Sequence, residues 1–188
     1  QYMSGVKTLK DVDIEGKRVL IRVDFNVPMD TNHTISDDRR IRAALTTINY
    51  CIDHKACSIT LVTHLGRPKG AYNEDYSLKH IVKRLERLLE KKVVFVEDFE
   101  ASKEEIASCS LERIFLLENI RFYEGEKQND KELSSKLASL CDVYVNDAFG
   151  TSHRKHASTY GVTEFVDVCV AGFLMAKEIA AFSKALEK

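Results

Sequence analysis

Arg18-Val19-Leu20-Ile21-Arg22-Val23-Asp24-Phe25-Asn26-Val27-Pro28 reads as a buried strand that runs directly into a polar turn. Arg18 to Val23 is a near-continuous apolar run, the pattern of a strand covered on both faces, whereas a strand with one wet face would alternate. Comparable runs recur at Ser58 to Val62, Lys92 to Val96, Ile114 to Leu117 and Val143 to Asn146. Between them the apolar spacing changes to a helical period. Ile41, Ala44, Leu45, Ile48 and Ile52 share one face, as do Leu78, Ile81, Val82, Leu85 and Leu89, and Leu133, Leu137 and Leu140 mark a shorter helix. Ser77 and Asp130 are expected to cap helix N-termini, and Ser102 with Glu105 to form a capping box. Strands alternating with helices predict an α/β fold, a parallel sheet of at least five strands flanked by helices on both faces in a Rossmann-like three-layer arrangement.

A chain of 188 residues, 44% of them hydrophobic, can bury the core of one good-sized domain. The last segment, Gly172 to Lys188, places Met175, Ile179, Phe182 and Leu186 at helical spacing. Such a helix either closes the domain or connects it to something further along. Lys and Arg total 28 against 29 Asp and Glu, a net charge of -1, which gives no reason to expect general binding to nucleic acid or a membrane surface. Any basic site must be local. Cys51, Cys57, Cys109, Cys141 and Cys169 are scattered, without a C-x-x-C pair, and are expected to be reduced core residues of a cytoplasmic protein. No apolar run approaches the roughly 18 residues of a membrane span.

The polar residues of interest follow the strands. They are Asp24-Phe25-Asn26-Val27-Pro28 after the first, His64-Leu65-Gly66-Arg67-Pro68 after the second, Glu118-Asn119-Ile120-Arg121-Phe122 after the fourth, and Asp147 to Arg154 after the fifth. Ligands of open parallel sheets bind outside the carboxyl ends of the strands, so four such segments point at one crevice. Arg67, Arg121 and Arg154, with Arg40 at the start of the first long helix, would present several planar forks to a small ligand carrying more than one negative charge. Each charge-assisted hydrogen bond contributes about 1.5–3 kcal/mol, enough together for micromolar affinity after ordering costs. Asp24 and Asn26 suit a hydroxyl, and a structural salt bridge or turn cap is an equally good reading of Asp24. His64 could donate to the anion or be a neutral structural residue, and Gly66 and Gly150 allow tight turns. Neither G-x-x-x-x-G-K-[ST] nor G-x-G-x-x-G occurs. His153 and His156 lack the companions of a zinc site, and no metal is expected on this chain.

Arg22-Val23-Asp24-Phe25-Asn26-Val27-Pro28, Thr63-His64-Leu65-Gly66-Arg67-Pro68, Leu117-Glu118-Asn119-Ile120-Arg121-Phe122, Asn146-Asp147-Ala148-Phe149-Gly150-Thr151 with His153-Arg154, and Gly172-Phe173-Leu174-Met175 together resemble the phosphoglycerate kinase family, in order and at suitable spacing, from about Lys7 onward. The resemblance implies the N-terminal domain of a two-domain glycolytic kinase. Residues 1–171 would bind 3-phosphoglycerate or 1,3-bisphosphoglycerate, and residues 172–188 would be the interdomain helix. The nucleotide segment that follows this helix in the family is not in the sequence, so Mg2+ with ADP or ATP is expected on a separate C-terminal domain and no cofactor on this chain. The resemblance further implies that Asp24 and Asn26 hold the glycerate, that Arg40, His64, Arg67, Arg121 and Arg154 contact its charged ends, and that Arg40 offsets charge on the transferring phosphoryl group. Phe25, Leu65, Gly66 and His153 would support the site. A cytoplasmic monomer, inactive without its second domain, is expected; the alternative is a free-standing anion-binding or regulatory module. The stretch Thr163 to Val170, and Ala171 where a second glycine is common, depart from the family pattern.

Overall fold

The computed structural model describes residues 7–109 and 112–187. Six strands form one parallel sheet: β1 (Arg18–Arg22), β2 (Ser58–Val62), β3 (Val93–Val96), β4 (Arg113–Leu117), β5 (Val143–Asn146) and β6 (Val168–Ala171). Their order is β3-β4-β2-β1-β5-β6. The five expected strands are present, and β6 adds a sixth from the stretch that departs from the family pattern. It is half buried at Val168 and Cys169 and buried at Val170 and Ala171.

Both sheet faces are covered, as the unbroken apolar runs require. Val19 and Ile21 point into a core shared with Ile41, Ile48, Leu85 and Leu89, while Leu20 between them points into a second core with Ile106, Leu133 and Leu137. Alternate residues of one strand thus feed opposite layers. The first layer holds α1 (Arg39–Ala43), α2 (Leu45–Asp53) and α3 (Val82–Leu89); the second holds α4 (Lys103–Ala107) and α5 (Lys131–Ala138). Burying each such aliphatic side chain contributes about 1.5–3 kcal/mol.

Asp130 caps α5, its Oδ2 accepting the Leu133 amide at 2.9 Å. Ser77 caps a one-turn 3-10 segment, Leu78–His80, ahead of α3. The capping box at α4 does not form. Ser102 makes no side-chain cap bond, and Glu105 instead accepts from Arg113 Nη1 at 2.8 Å, an ion pair to the strand that α4 precedes.

The last helix, α6 (Phe173–Leu186), docks through its first half. Met175 and Ile179 are buried, whereas Phe182 and Leu186 are exposed. Thr47 of α2 accepts the Phe173 amide at 3.0 Å, and the buried Asp147, one residue past β5, accepts the Met175 amide at 3.0 Å. A side chain at Gly172 would overlap the Asp147 carboxylate, which is why glycine opens this helix.

One cysteine expectation is corrected. Cys57 and Cys109 form a disulfide, with Cα atoms 5.1 Å apart. Fifty-two positions separate them, so no local spacing announces the pair. The sheet brings them together: Ser58 and Arg113 are register partners in β2 and β4, and each cysteine precedes one of those strands. Burial pushes the thiols of Cys51 and Cys141 up to about 12 and that of Cys169 up to about 11, keeping them protonated. A loop of this length predicts that reduction costs about 2–4 kcal/mol of stability. Urea denaturation with and without reductant checks this, and Cys57→Ser should abolish the effect of the reductant.

Candidate functional site

The sheet order puts β4, β2, β1 and β5 side by side, so the four polar segments leave one end of the sheet as neighbours. Arg22 of β1 is level with Val62 of β2 and Asn146 of β5, which sets the segments at the same height. They are then laced together by side chains. Thr63 Oγ1 accepts the Phe25 amide at 2.8 Å, and Asn26 Oδ1 accepts the Gly66 amide at 2.9 Å, joining the turns after β1 and β2. Asn119 Oδ1 accepts the Leu65 amide, while Asn119 Nδ2 donates to the Leu65 carbonyl at 2.6 Å, joining the turns after β2 and β4. Glu118, just ahead of it, accepts from Ser77 Oγ at 2.7 Å and from the Leu78 amide at 2.9 Å, tying the β4 turn to the start of the α3 region.

On this frame the structure gathers the expected basic residues. Arg121 is buried, and the positive charges of Arg22, Arg154 and Arg67 reinforce burial in lowering its pKa, while Glu126 opposes them. His64 is buried beside Arg22, Arg121 and Arg40; burial first, then those positive neighbours, lower its pKa to about 2, so it is neutral. Arg67 and Arg154 are exposed and form no ion pair among the described residues. Arg121 Nη1 makes a long 3.5 Å contact to the Gly66 carbonyl, and among the described residues its buried Nε has no partner. Leaving such a donor unsatisfied costs about 1–3 kcal/mol, a cost that a ligand oxygen would relieve.

Arg40 lies on α1, whose start is pinned by Asp38, ion-paired with Arg42 and with Arg84 of α3 at 2.9 Å each. Arg40 Nη1 reaches both Asp24 carboxylate oxygens at 3.3 Å and the Asn26 carbonyl at 3.1 Å. Asp24 also accepts the Asn26 amide at 3.0 Å. Both structural roles foreseen for Asp24, salt bridge and turn cap, are therefore realised. Because the Arg40 side chain is 55% exposed, its pair with Asp24 is worth at most about 1 kcal/mol and can be exchanged for a ligand. A cleft of about 640 Å³ opens here, lined by Asp24, Asn26, Arg40, Ala148, Gly150 and Leu174 among others. It lies between the turns after β1 and β5, where the strand order reverses.

The remaining expected residues divide by position. Phe25 and Leu65 are core side chains that hold their turns rather than line a surface. Gly66 has φ of +63°, and a side chain there would overlap the Tyr76 ring. Gly150 faces open space in the cleft. His153 is exposed; the buried histidine of this loop is His156, whose Nδ1 lies 4.0 Å from Glu126 Oε2 without a hydrogen bond among the described residues. Sequence reasoning missed Arg22, Glu126 and Ser158. Arg22 is completely buried at the end of a strand, where arginine is rare unless paired, and that oddity was the available signal.

The neutrality of His64 has a pH consequence. Its folded pKa of about 2 lies below the ordinary 6.5, so as pH falls the unfolded chain takes up the proton first. Stability is unaffected above about pH 6.5 and declines as the pH drops from there toward 2, by about 2 kcal/mol at pH 5. His64→Gln should lose about 2 kcal/mol less than the parent between pH 7 and pH 5 in urea denaturation. Equal losses in the two proteins would contradict the assignment.

The sequence model of the family "Phosphoglycerate kinase" matches residues 9–188. Phosphoglycerate kinase of Wolinella succinogenes is 62% identical over 184 residues, covering 98% of this chain and 46% of that protein. That of Helicobacter hepaticus is 58% identical over 186 residues, with 99% and 46% covered. The solved phosphoglycerate kinase of Coxiella burnetii superposes with a TM-score of 0.87 at 37% identity, covering 97% of this chain and 45% of that one. The chain thus spans a little under half the length of the curated relatives it matches, their N-terminal portion. With the family model matched over residues 9–188 and a relative 62% identical over 98% of the chain, this chain belongs to the phosphoglycerate kinase family.

Proposed function

We propose that the chain is the substrate-binding half of a glycolytic phosphoglycerate kinase that transfers a phosphoryl group reversibly from 1,3-bisphosphoglycerate to ADP, giving 3-phosphoglycerate and ATP. Residues 1–171 would form the substrate domain and residues 172–188 the helix leading to a nucleotide-binding domain. The observation that carries this reading is the buried Arg121 Nε, without a partner among the described residues, in the company of His64, Arg67, Arg154 and Arg40. Several fork-shaped cations around an unmet buried donor suit an anion with two charged ends. The exposed Phe182 and Leu186 on the outer half of α6 support its role as a connector.

In this reading His64, Arg67, Arg121 and Arg154 hold the charged ends of the glycerate, while Asp24 and Asn26 Nδ2 meet its hydroxyl. Arg40 exchanges Asp24 for the transferring phosphoryl group and offsets the charge that develops there. The acyl phosphate bond breaks as the new bond to the terminal ADP oxygen forms, so the protein supplies positioning, neutralisation and exclusion of water, and no general base is needed. Magnesium and the nucleotide are assigned to the second domain. Among the described residues no group of three or more His, Cys, Asp or Glu side chains is arranged to hold a metal ion, so the residues present do not fit that role. No helix among them is long and apolar enough to cross a membrane, and the glycolytic reading carries with it a cytoplasmic monomer.

Calorimetry on this chain should show 3-phosphoglycerate binding that weakens with added salt and falls about tenfold or more in Arg67→Ala or Arg154→Ala, the loss expected for one charge-assisted contact. Unchanged affinity in both variants would contradict the site. Mixed with a separately prepared nucleotide-binding domain, the chain should support ATP formation from 1,3-bisphosphoglycerate and ADP, whereas alone it should not. Arg40→Ala should lower that rate by about 100-fold or more. An undiminished rate would remove the charge-offsetting role.

A further inference from the structure

Arg22 is completely buried and donates in three directions. Its Nε reaches Ser158 Oγ at 2.8 Å, its Nη1 the Val23 carbonyl, and its Nη2 meets His64 Nδ1 at 3.1 Å. Behind it stands a matching acceptor chain. Ser158 Oγ donates to Glu126 Oε2 at 2.6 Å, and the Ser158 amide donates to Glu126 Oε1 at 2.9 Å. Glu126 is itself completely buried; burial raises its pKa, while Arg22, the two Ser158 bonds and Arg121 work against that rise.

A guanidinium has donors and no acceptor, and it does not lose its proton in a protein. Its contact with Nδ1 therefore requires that nitrogen to be unprotonated. A neutral imidazole then carries its proton on Nε2. Among the described residues Nε2 has no hydrogen-bond partner, so that proton remains available to a ligand oxygen. Were the proton on Nδ1 instead, it would face the Arg22 donor and Nε2 would present a lone pair to an anion.

We propose that Arg22, held by Ser158 and Glu126, is a positioning residue that locks His64 in the Nε2–H tautomer, so that His64 enters the site as a neutral hydrogen-bond donor. This rests on the reading of the site as a 3-phosphoglycerate site for its consequence, though not for the tautomer. Arg22 reaches the ligand only through His64. The Glu126 carboxylate supplies the counter-charge that lets a buried arginine stand next to the ligand arginines without adding its full repulsion.

The test is a long-range 1H–15N correlation spectrum of the chain labelled at histidine nitrogens, recorded without ligand at pH 7. His64 should show a protonated Nε2 and an unprotonated Nδ1. A protonated Nδ1, or a doubly protonated ring, would overturn the proposal. In Arg22→Met the ring should become a mixture of the two tautomers, and calorimetry with 3-phosphoglycerate should show affinity reduced about tenfold. Retention of the pure Nε2–H form in this variant would show that Arg22 does not set it. Should Arg22→Met fail to fold, Ser158→Ala carries the same reading: a shift of the His64 nitrogens toward the tautomer average supports the relay, and unaltered nitrogens refute it. A parent chain with the expected tautomer but no affinity for 3-phosphoglycerate would leave the role of Arg22 standing and remove the substrate assignment.

Discussion

Arg22 is completely buried at the carboxyl end of the central strand, and its charge is met by the buried Glu126 through Ser158. Everything at that end of the sheet has to be built around positive charges that repel one another. Burial and the neighbouring cations lower the pKa of Arg121, and they hold His64 and His156 neutral, at about 2 and about 4. Such an arrangement is held together by packing elsewhere, and it gains most when an anion arrives. The rigid sheet, with two apolar layers and turns laced by Asn26, Thr63 and Asn119, supplies that support.

The same rigidity links the site to the last helix. Asp147 follows β5 by one residue and receives the Met175 amide, so the N-terminus of α6 is anchored to the turn that leads into Ala148 and Gly150 at the cleft. Among the described residues its second oxygen, Oδ2, is buried without a hydrogen-bond partner, and burial raises the pKa of Asp147, with the Met175, Thr47 and Leu174 bonds working against that rise. Arg40 stands on the opposite wall of the cleft, held to Asp24 by an exposed pair that costs little to break. A movement of α6 would therefore be felt first where Arg40 and the β5 turn face each other.

Much of this was legible in the residues. Continuous apolar runs gave both covered faces of the sheet, because a doubly buried strand cannot alternate, and polar segments at strand ends were expected to gather, because a parallel sheet sends all of them to one end. What escaped was non-local. The Cys57–Cys109 pair depends on β2 and β4 being neighbours, which no spacing encodes. Glu105 pairs with Arg113 of β4 instead of closing its capping box, and β6 was not expected as a strand. Within the site, Asp24 and Asn26 serve the scaffold as well as facing the cleft. Arg22 passed as part of an apolar strand, although a fully buried arginine calls for a carboxylate somewhere, and Glu126 is distant in sequence.

The central claim is that the unmet donors of this basic cluster exist for a phosphorylated hydroxy acid. A crystal structure of the chain grown with 3-phosphoglycerate tests it most directly. The account predicts one bound molecule, with an anionic oxygen within hydrogen-bond distance of Arg121 Nε and another of His64 Nε2. A molecule bound away from both atoms, or a cluster that stays empty at saturating ligand, would contradict it.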